Sequence, residues 1–255
     1  MPKIISWNVN GFRSILKKGF LADVLEKDYD IICFQEVKIS DFENVRQVIP
    51  THYYIYGNLS SNCKNGVLVL SKIEANSVEY IIGHEEFDKQ GRYIKIVYPE
   101  FILINLYMPH GGRDKSRLSF KLEVARILKS NLKQIVNNKV IIATDFNIAR
   151  DDIDVCRANQ NHNNIMFTKK ERRIIDSILQ IGFIDIYREL NPQKQEYTWW
   201  SYAFECRKRN IGWRIDYYFI SESLYKDISN ISILKEQAGS DHCPIIIEIK
   251  DVNNG

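Results

Sequence analysis

Short apolar runs recur along this chain, and in its middle they follow one another with no helix between them. Residues 66–71, 77–82, 92–98 and 101–107 each read as a strand. Strands strung together this way pair antiparallel, because a parallel pair needs a long crossover. Outside the middle the runs at 3–9, 30–35, 140–144, 215–220 and 245–249 are interspersed with helical periodicity. Residues 16–27 place Leu21, Val24 and Leu25 on one face, and residues 117–136 do the same with Leu118, Leu122, Ala125, Leu128, Leu132 and Ile135. Residues 168–181 open on Thr168-Lys169-Lys170-Glu171, a capping-box signature. This mixture predicts an α/β sandwich with mixed sheets rather than a doubly wound parallel sheet. Each half also holds a β-α-β stretch that ends in an acidic motif, Gln35-Glu36 in one and Asp145-Phe146-Asn147 in the other.

No Gly/Ser/Pro-rich linker divides the 255 residues, so one domain spanning 1–255 is expected. Charged residues make up 26% and hydrophobic residues 45%, an ordinary globular balance that excludes disorder. The formal charge of +3 names no partner by itself, although a clustered basic surface could still bind a polyanion. The five cysteines are odd in number and lack zinc-knuckle spacing, which fits reduced thiols. The N-terminus enters a strand-like run without a signal-peptide core, and no apolar stretch reaches membrane-spanning length. A cytoplasmic protein, nucleoid-associated if prokaryotic, is expected.

The strand ends carry the chemistry. Glu36 follows an apolar run, where a carboxylate is well placed for a hard cation; it could equally be a solvated cap. Asp145 and Asn147 follow another, positioned for proton transfer from water or, alternatively, for an Asx-turn. Asn8 and Asn10 lie around the end of the first run. Tyr107 ends a run that leads through His110, read as a loop histidine, to a Gly-Gly loop and Arg113. Gly239-Ser240-Asp241-His242-Cys243-Pro244 puts a carboxylate and an imidazole side by side before the last strand. Residues 197–216 interleave aromatics with Arg207, Lys208, Arg209 and Arg214, a pattern suited to tracking phosphates and stacking on bases, or to a hairpin with a solvated basic turn. Polar strand ends of this kind gather at one sheet edge and form a single site.

Together the stretches SWNVNGFR, FQEVK, LYMP, TDFNIA, FTKKER, GWRIDYYFIS and GSDHCP resemble the exonuclease III family of AP endonucleases, within the endonuclease/exonuclease/phosphatase superfamily. They run from Ser6 to Pro244. The resemblance implies a four-layered αββα sandwich of two packed mixed β-sheets, with its site at one edge. It implies a hydrolase that cuts the phosphodiester 5′ to abasic sites in double-stranded DNA, leaving 3′-hydroxyl and 5′-deoxyribose phosphate ends, with 3′-5′ exonuclease or 3′-repair activity on blocked ends. Glu36 and Asp241 would hold Mg²⁺, with Mn²⁺ able to substitute; Asn10 stands where some relatives carry an Asp. Asp145 would activate the attacking water, and Asn147 would hold that water or the phosphate. His242 would face the scissile phosphate, oriented by Asp216, and Tyr107 and Asn8 would contact the phosphate and metal centre. Trp199, Trp213 and Ile215 would line the pocket for the extruded sugar. Arg113 would insert into the duplex, opposite a wedge at Ala203 or Phe204. Arg13, Lys38 and Arg207 would contact phosphates. Ile5 stands where redox-active relatives carry a cysteine. A monomer without membrane partners follows. The competing readings are a phosphoesterase acting on inositol phosphates, lipids or unspecific DNA, and a nucleic-acid-binding module with an inactive site.

Overall fold

The computed structural model describes residues 2–250. One six-stranded sheet contains β1 (Lys3–Asn8), β2 (Ile31–Gln35), β3 (Tyr54–Asn58), β4 (Val67–Ser71), β11 (Ile228–Ile233) and β12 (Ile245–Ile249). Its order is β11-β12-β1-β2-β4-β3. The other contains β5 (Ser77–Glu79), β6 (Tyr93–Val97), β7 (Ile102–Tyr107), β8 (Val140–Asp145), β9 (Phe183–Asp185) and β10 (Asp216–Ser221), in the order β5-β6-β7-β8-β10-β9. The pairs β1–β2 and β7–β8 are parallel, and their neighbours run antiparallel. The two orders therefore match, strand for strand: a parallel pair at the centre, with two antiparallel strands on each side. This is the echo between halves that the sequence carries.

Helices cover the outer faces. α1 (Phe12–Lys17), α2 (Phe20–Leu25) and α3 (Glu43–Arg46) belong to the first half; α4 (Glu85–Asp88), α5 (Leu118–Ile135) and α6 (Lys169–Leu179) follow, whereas α7 (Ile186–Leu190) packs Ile186 and Tyr187 into the layer between the sheets. Alternation along the strands builds three apolar layers. Ile4, Ile31, Cys33, Ile141, Ala143 and Ile247 point between the sheets. Ile5, Ile32 and Phe34 point outward onto Phe12, Ile15 and Leu21, whereas Val140 and Ile142 point outward onto Leu128, Leu132 and Ile178. The architecture is thus an αββα sandwich, as expected. Among the described residues no helix is long and apolar enough to cross a membrane.

Local differences from the sequence reading have local causes. The single helix expected at 16–27 is two short ones, because Gly19 takes a left-handed φ of 80° and breaks it. The first starts earlier, at Phe12, where Phe12 and Ile15 supply buried anchors. The strand expected at 77–82 stops at Glu79. β3, β9 and β11 were not expected, and all three lie at sheet edges. The capping box of α6 forms: the Glu171 backbone N–H donates to Thr168 Oγ1, and Thr168 N–H donates to Glu171 Oε2.

The sheets are tied together beneath the site by buried polar groups. Asn105 Nδ2 donates to the carbonyls of Phe34 and Leu68 across the sheet interface, and Gln35 Nε2 donates to Asn105 Oδ1 and Ser6 Oγ. The three bonds to Asn105 cross from one sheet to the other, and the Gln35–Ser6 bond braces β2 against β1 beneath them.

Candidate active site

Strand direction collects the polar ends. Asn8 and Gln35 end β1 and β2 side by side, and Tyr107 and Asp145 end β7 and β8 in the same way. Asp216 opens β10 directly opposite Asp145. The segment holding Asp241 and His242 leads into β12, whose first residue, Ile245, pairs with Ser6. The carboxyl ends of the parallel pairs and the amino ends of their antiparallel neighbours therefore meet at one edge. Asn10, Glu36, Lys38 and Asn147 all adopt left-handed φ values, of 46°, 54°, 54° and 52°. Such backbone costs on the order of 1 kcal/mol or more per residue. Here it turns successive side chains back over the edge.

Asp145 lies at the centre, 1% exposed. Its Oδ2 accepts from Asn8 Nδ2 at 2.8 Å, and its Oδ1 accepts from the Asn147 backbone N–H at 2.9 Å. His242 Nε2 lies 3.8 Å from the same Oδ2, and its Nδ1 lies 2.9 Å from Asp216 Oδ2. Trp7 Nε1 donates to the His242 carbonyl, and the His242 N–H donates to Ser240 Oγ. Burial lifts the Asp145 carboxyl to about 7; His242 and the two asparagine donors oppose that lift, and Asp216 adds to it. Burial works against charge on His242, but Asp216 and Asp145 outweigh it and raise the imidazole to about 10. At neutral pH the imidazole is thus a cation beside a carboxylate poised to exchange a proton.

A second constellation lies alongside. Glu36 Oε2 accepts from Asn8 Nδ2 at 3.0 Å, so one amide bridges Glu36 and Asp145. Lys38 Nζ lies 2.9 Å from Glu36 Oε1 and donates to Asn10 Oδ1 at 2.5 Å. Asn10 Nδ2 donates to Asp241 Oδ1, and Trp199 Nε1 donates to Asp241 Oδ2. Burial opposes ionisation of Asp241, but His242, Asn10 and Trp199 hold its carboxyl below the usual range. Two oxygens, from Glu36 and Asn10, already converge on a positive group. An oxygen donor set of this kind suits a hard divalent cation. Among the described residues the one tight cluster of metal-capable groups is Asp145, Asp216 and His242. That trio includes an imidazole, whereas the Glu36 side offers oxygens alone, the donor set that a hard divalent cation prefers.

Tyr107 is buried against the guanidinium of Arg92, 4.4 Å from its ring centre. Burial and then the Glu36 charge raise its phenol well above the usual value, so it remains a neutral donor. Arg92 was not singled out from sequence, nor was Lys121. The latter is fully buried on α5, bonded to Glu171 Oε1 at 2.7 Å and donating to the Asn147 carbonyl at 2.7 Å. No motif marked it, because a lysine on an amphipathic helix reads as solvated.

Beside this centre opens a cleft of about 570 Å³. Trp199 and Trp213 line it with Ile165 and Met166, and Arg113 and His110 stand on the other wall. The rings of the two tryptophans meet edge to face at 6.4 Å. Ile215 differs from expectation: it is 1% exposed and packs behind the wall, in a cluster with Val155 and Phe167. His110, read as a loop histidine, lines the cleft. Burial, with Lys121 next, lowers its pKa.

Residues 197–216, readable as a phosphate-tracking and base-stacking surface or as a hairpin with a solvated basic turn, divide in two. Arg214 is wholly buried, forked between Asp154 and Asp185 through four hydrogen bonds of 2.7–3.1 Å. It anchors the strand that carries Asp216. Arg207 stacks on Trp200 and donates to the carbonyls of Ser240, Lys235 and Gln237, so it holds the loop bearing Asp241 and His242 rather than facing solvent. Lys208 pairs with Glu205. Tyr197 and Trp200 are core, whereas Tyr202 and Phe204 are exposed by 70% and 83%. Phe204, with φ 55°, protrudes beside Ala203. Arg13 is exposed, and Lys38 is half-buried against Glu36 and Asn10.

A model of the endonuclease/exonuclease/phosphatase family matches residues 5–242. The chain is 39% identical over 247 residues to an exodeoxyribonuclease of Bacillus subtilis (strain 168), covering 95% of this chain and 97% of that one. It is 36% identical over 251 residues to the DNA repair nuclease APEX1 of Danio rerio, covering 96% of this chain and 81% of that protein. An AP endonuclease structure from Archaeoglobus fulgidus superposes with a TM-score of 0.89 at 27% identity, covering 99% of this chain and 100% of that one. The sandwich, the polar edge between its sheets and these likenesses agree: the chain belongs to the endonuclease/exonuclease/phosphatase family, in its exonuclease III group of AP endonucleases and exodeoxyribonucleases.

Proposed function

We propose that this chain is a divalent-metal-dependent DNA repair nuclease that cuts duplex DNA on the 5′ side of an abasic site, leaving a 3′-hydroxyl and a 5′-deoxyribose phosphate. Removal of 3′-blocking groups and 3′-5′ exonuclease activity are the same hydrolysis at a strand end. The observation that carries this reading is the buried Asp145 carboxyl, held by Asn8 and Asn147 and facing the His242–Asp216 pair. The nuclease and DNA-repair names of the relatives support it.

In this reading Asp145 takes a proton from the attacking water, for which a carboxyl lifted to about 7 is well matched. Asn147 and Asn8 fix the direction of that carboxylate. The His242 imidazolium faces a non-bridging oxygen of the scissile phosphate, and Asp216 keeps it charged and oriented. Tyr107 donates to a phosphate oxygen. Glu36 and Asp241, with Asn10 as a neutral partner, would hold Mg²⁺, which when bound neutralises phosphate charge as a Lewis acid. Trp199 and Trp213 receive the extruded sugar, for which an apolar wall suffices because no base needs to be read. Arg113 on the cleft wall and the exposed Phe204 are the groups that would fill the space the nucleotide leaves.

The test uses matched duplexes, one with a single abasic analogue, one undamaged and one with a 3′-phosphate, each with Mg²⁺ and again with chelator. Metal-dependent incision at the lesion and release of the 3′-phosphate are expected. Equal cutting of damaged and undamaged duplexes would make this a general nuclease, and salt-sensitive binding without cutting would leave only a binding module.

A further inference from the structure

α5 and α6 lie side by side on the outer face of the second sheet, and between them runs a groove of about 250 Å³. Arg126 and Lys129 line it from α5, and Lys170 and Arg173 line it from α6, over Leu122 and Ala125. Each pair is spaced i, i+3, so each helix presents both of its cations on one side. No carboxylate lines the groove. The nearby acids are engaged elsewhere: Glu171 with Lys121 at 2.7 Å, Asp176 with Arg150 at 3.0 Å, and Glu123 beside His84 at 3.7 Å. Among the described residues none of the four cations forms an ion pair. Four like charges around one concavity repel one another, and a polyanion would relieve that repulsion.

The charge is concentrated here rather than spread. α5 carries Lys121, Arg126, Lys129 and Lys133 against Glu123, and α6 carries Lys169, Lys170, Arg172 and Arg173 against Glu171 and Asp176. These two helices alone exceed the whole chain's formal excess of +3. The chain also joins the groove to the cleft beside the active site. Ile165 and Met166 of that cleft lead through Phe167 and Thr168 into α6. Leu122 and Lys170 are the sequence neighbours of Lys121 and Glu171, the buried pair bonded to the Asn147 carbonyl. From Leu118 to Lys129 α5 carries the surface about 16 Å away from the edge.

We propose that this groove is a second backbone-binding track, which holds phosphates of the duplex beyond the lesion cleft and extends the enzyme's footprint along DNA. The proposal rests on the nucleic-acid substrate argued above. Its occupant is the sugar-phosphate backbone, because long side chains at a shallow helix–helix groove offer charge and no base-reading geometry. The track adds sequence-independent affinity and takes no part in the chemical step.

The experiment compares the wild-type protein with the double variant Lys170→Gln/Arg173→Gln, and in parallel with Arg126→Gln/Lys129→Gln. All but Lys129, which is half-buried, are exposed side chains, so the fold is retained. Fluorescence anisotropy gives affinity against salt for a long undamaged duplex and for one barely longer than the lesion cleft. On the long duplex, loss of two phosphate contacts lowers the slope of log affinity against log salt by about 2. On the short duplex the wild type and both variants behave alike. Equal slopes on the long duplex for wild type and both variants overturn the proposal, whatever else the groove binds. The reading as a nuclease is tested separately: a groove-dependent slope in a protein that cuts nothing would leave the track standing and that reading lost, and normal incision with unchanged slopes would do the reverse.

Discussion

Nδ1 of His242 lies 2.9 Å from Oδ2 of Asp216, and both side chains are almost wholly buried. The pairing turns a residue that usually titrates near neutrality into a fixed cation at the edge of the sheets. Its folded-state pKa, about 10, exceeds the ordinary value of 6.5. The folded protein therefore binds more protons than the unfolded chain between about pH 6.5 and 10. The stability this supplies is complete below that window and is lost as pH rises through it. His242→Gln lacks the titrating group. Thermal unfolding should show a wild-type advantage over the variant that shrinks steadily from pH 6 to pH 10. A constant difference across that range would mean that His242 does not carry the charge.

As the proposed base, the Asp145 carboxyl, lifted to about 7 by burial, should set the pH dependence of turnover. Acting as a base, it works only when deprotonated. Single-turnover incision should rise about tenfold per pH unit below its midpoint and level off above about pH 7. The midpoint should stay in place when Mn²⁺ replaces Mg²⁺. A midpoint that tracks the metal would put the ionisation on the metal's own water.

Lys38 holds its ammonium against Glu36 and Asn10, where the oxygens suited to a divalent ion converge. It competes for that position. Lys38→Met should bind Mn²⁺ about tenfold more tightly, equivalent to ~1.4 kcal/mol. Calorimetric titration reads this directly, and unchanged or weaker binding would place the ion elsewhere.

The buried Lys121–Glu171 pair supports the loop that carries Asn147. Removing one partner strands the other charge in the core, at a cost of about 3–5 kcal/mol. Lys121→Met should therefore lower urea stability by that amount, and Lys121→Met/Glu171→Gln should recover much of it. If the double variant is no more stable than the single one, the pair is not what holds this corner.

The polar edge was legible in the sequence for a physical reason. β1, β2 and β8 are buried on both faces, so each reads as an apolar run, and its candidate site residues stand at or just past its end. Asn8, Glu36 and Asp145 stand out for that reason. The edge strands β3 and β11 are partly exposed, and β9 has three residues, so neither period nor length marked them. The run from Arg207 to Arg214 misled because local sequence does not reveal distant partners. Arg214 is paired with Asp154 and Asp185, 60 and 29 residues away, and is no more solvated than a core leucine. Arg207 is likewise bonded to carbonyls about 30 residues on. Basic side chains that anchor the site and those that meet a polyanion look alike until their partners are placed.

One substitution separates chemistry at Asp145 from a role that merely holds the edge together. Asp145→Asn keeps the size of the side chain and one acceptor oxygen while removing its charge, its basicity and its second acceptor. Measured on one duplex with an abasic analogue, the variant should lose incision by at least about 10³-fold while its DNA affinity stays close to wild type. Loss of binding in step with cutting would make Asp145 a structural residue, and incision close to wild type would mean that it is not the base.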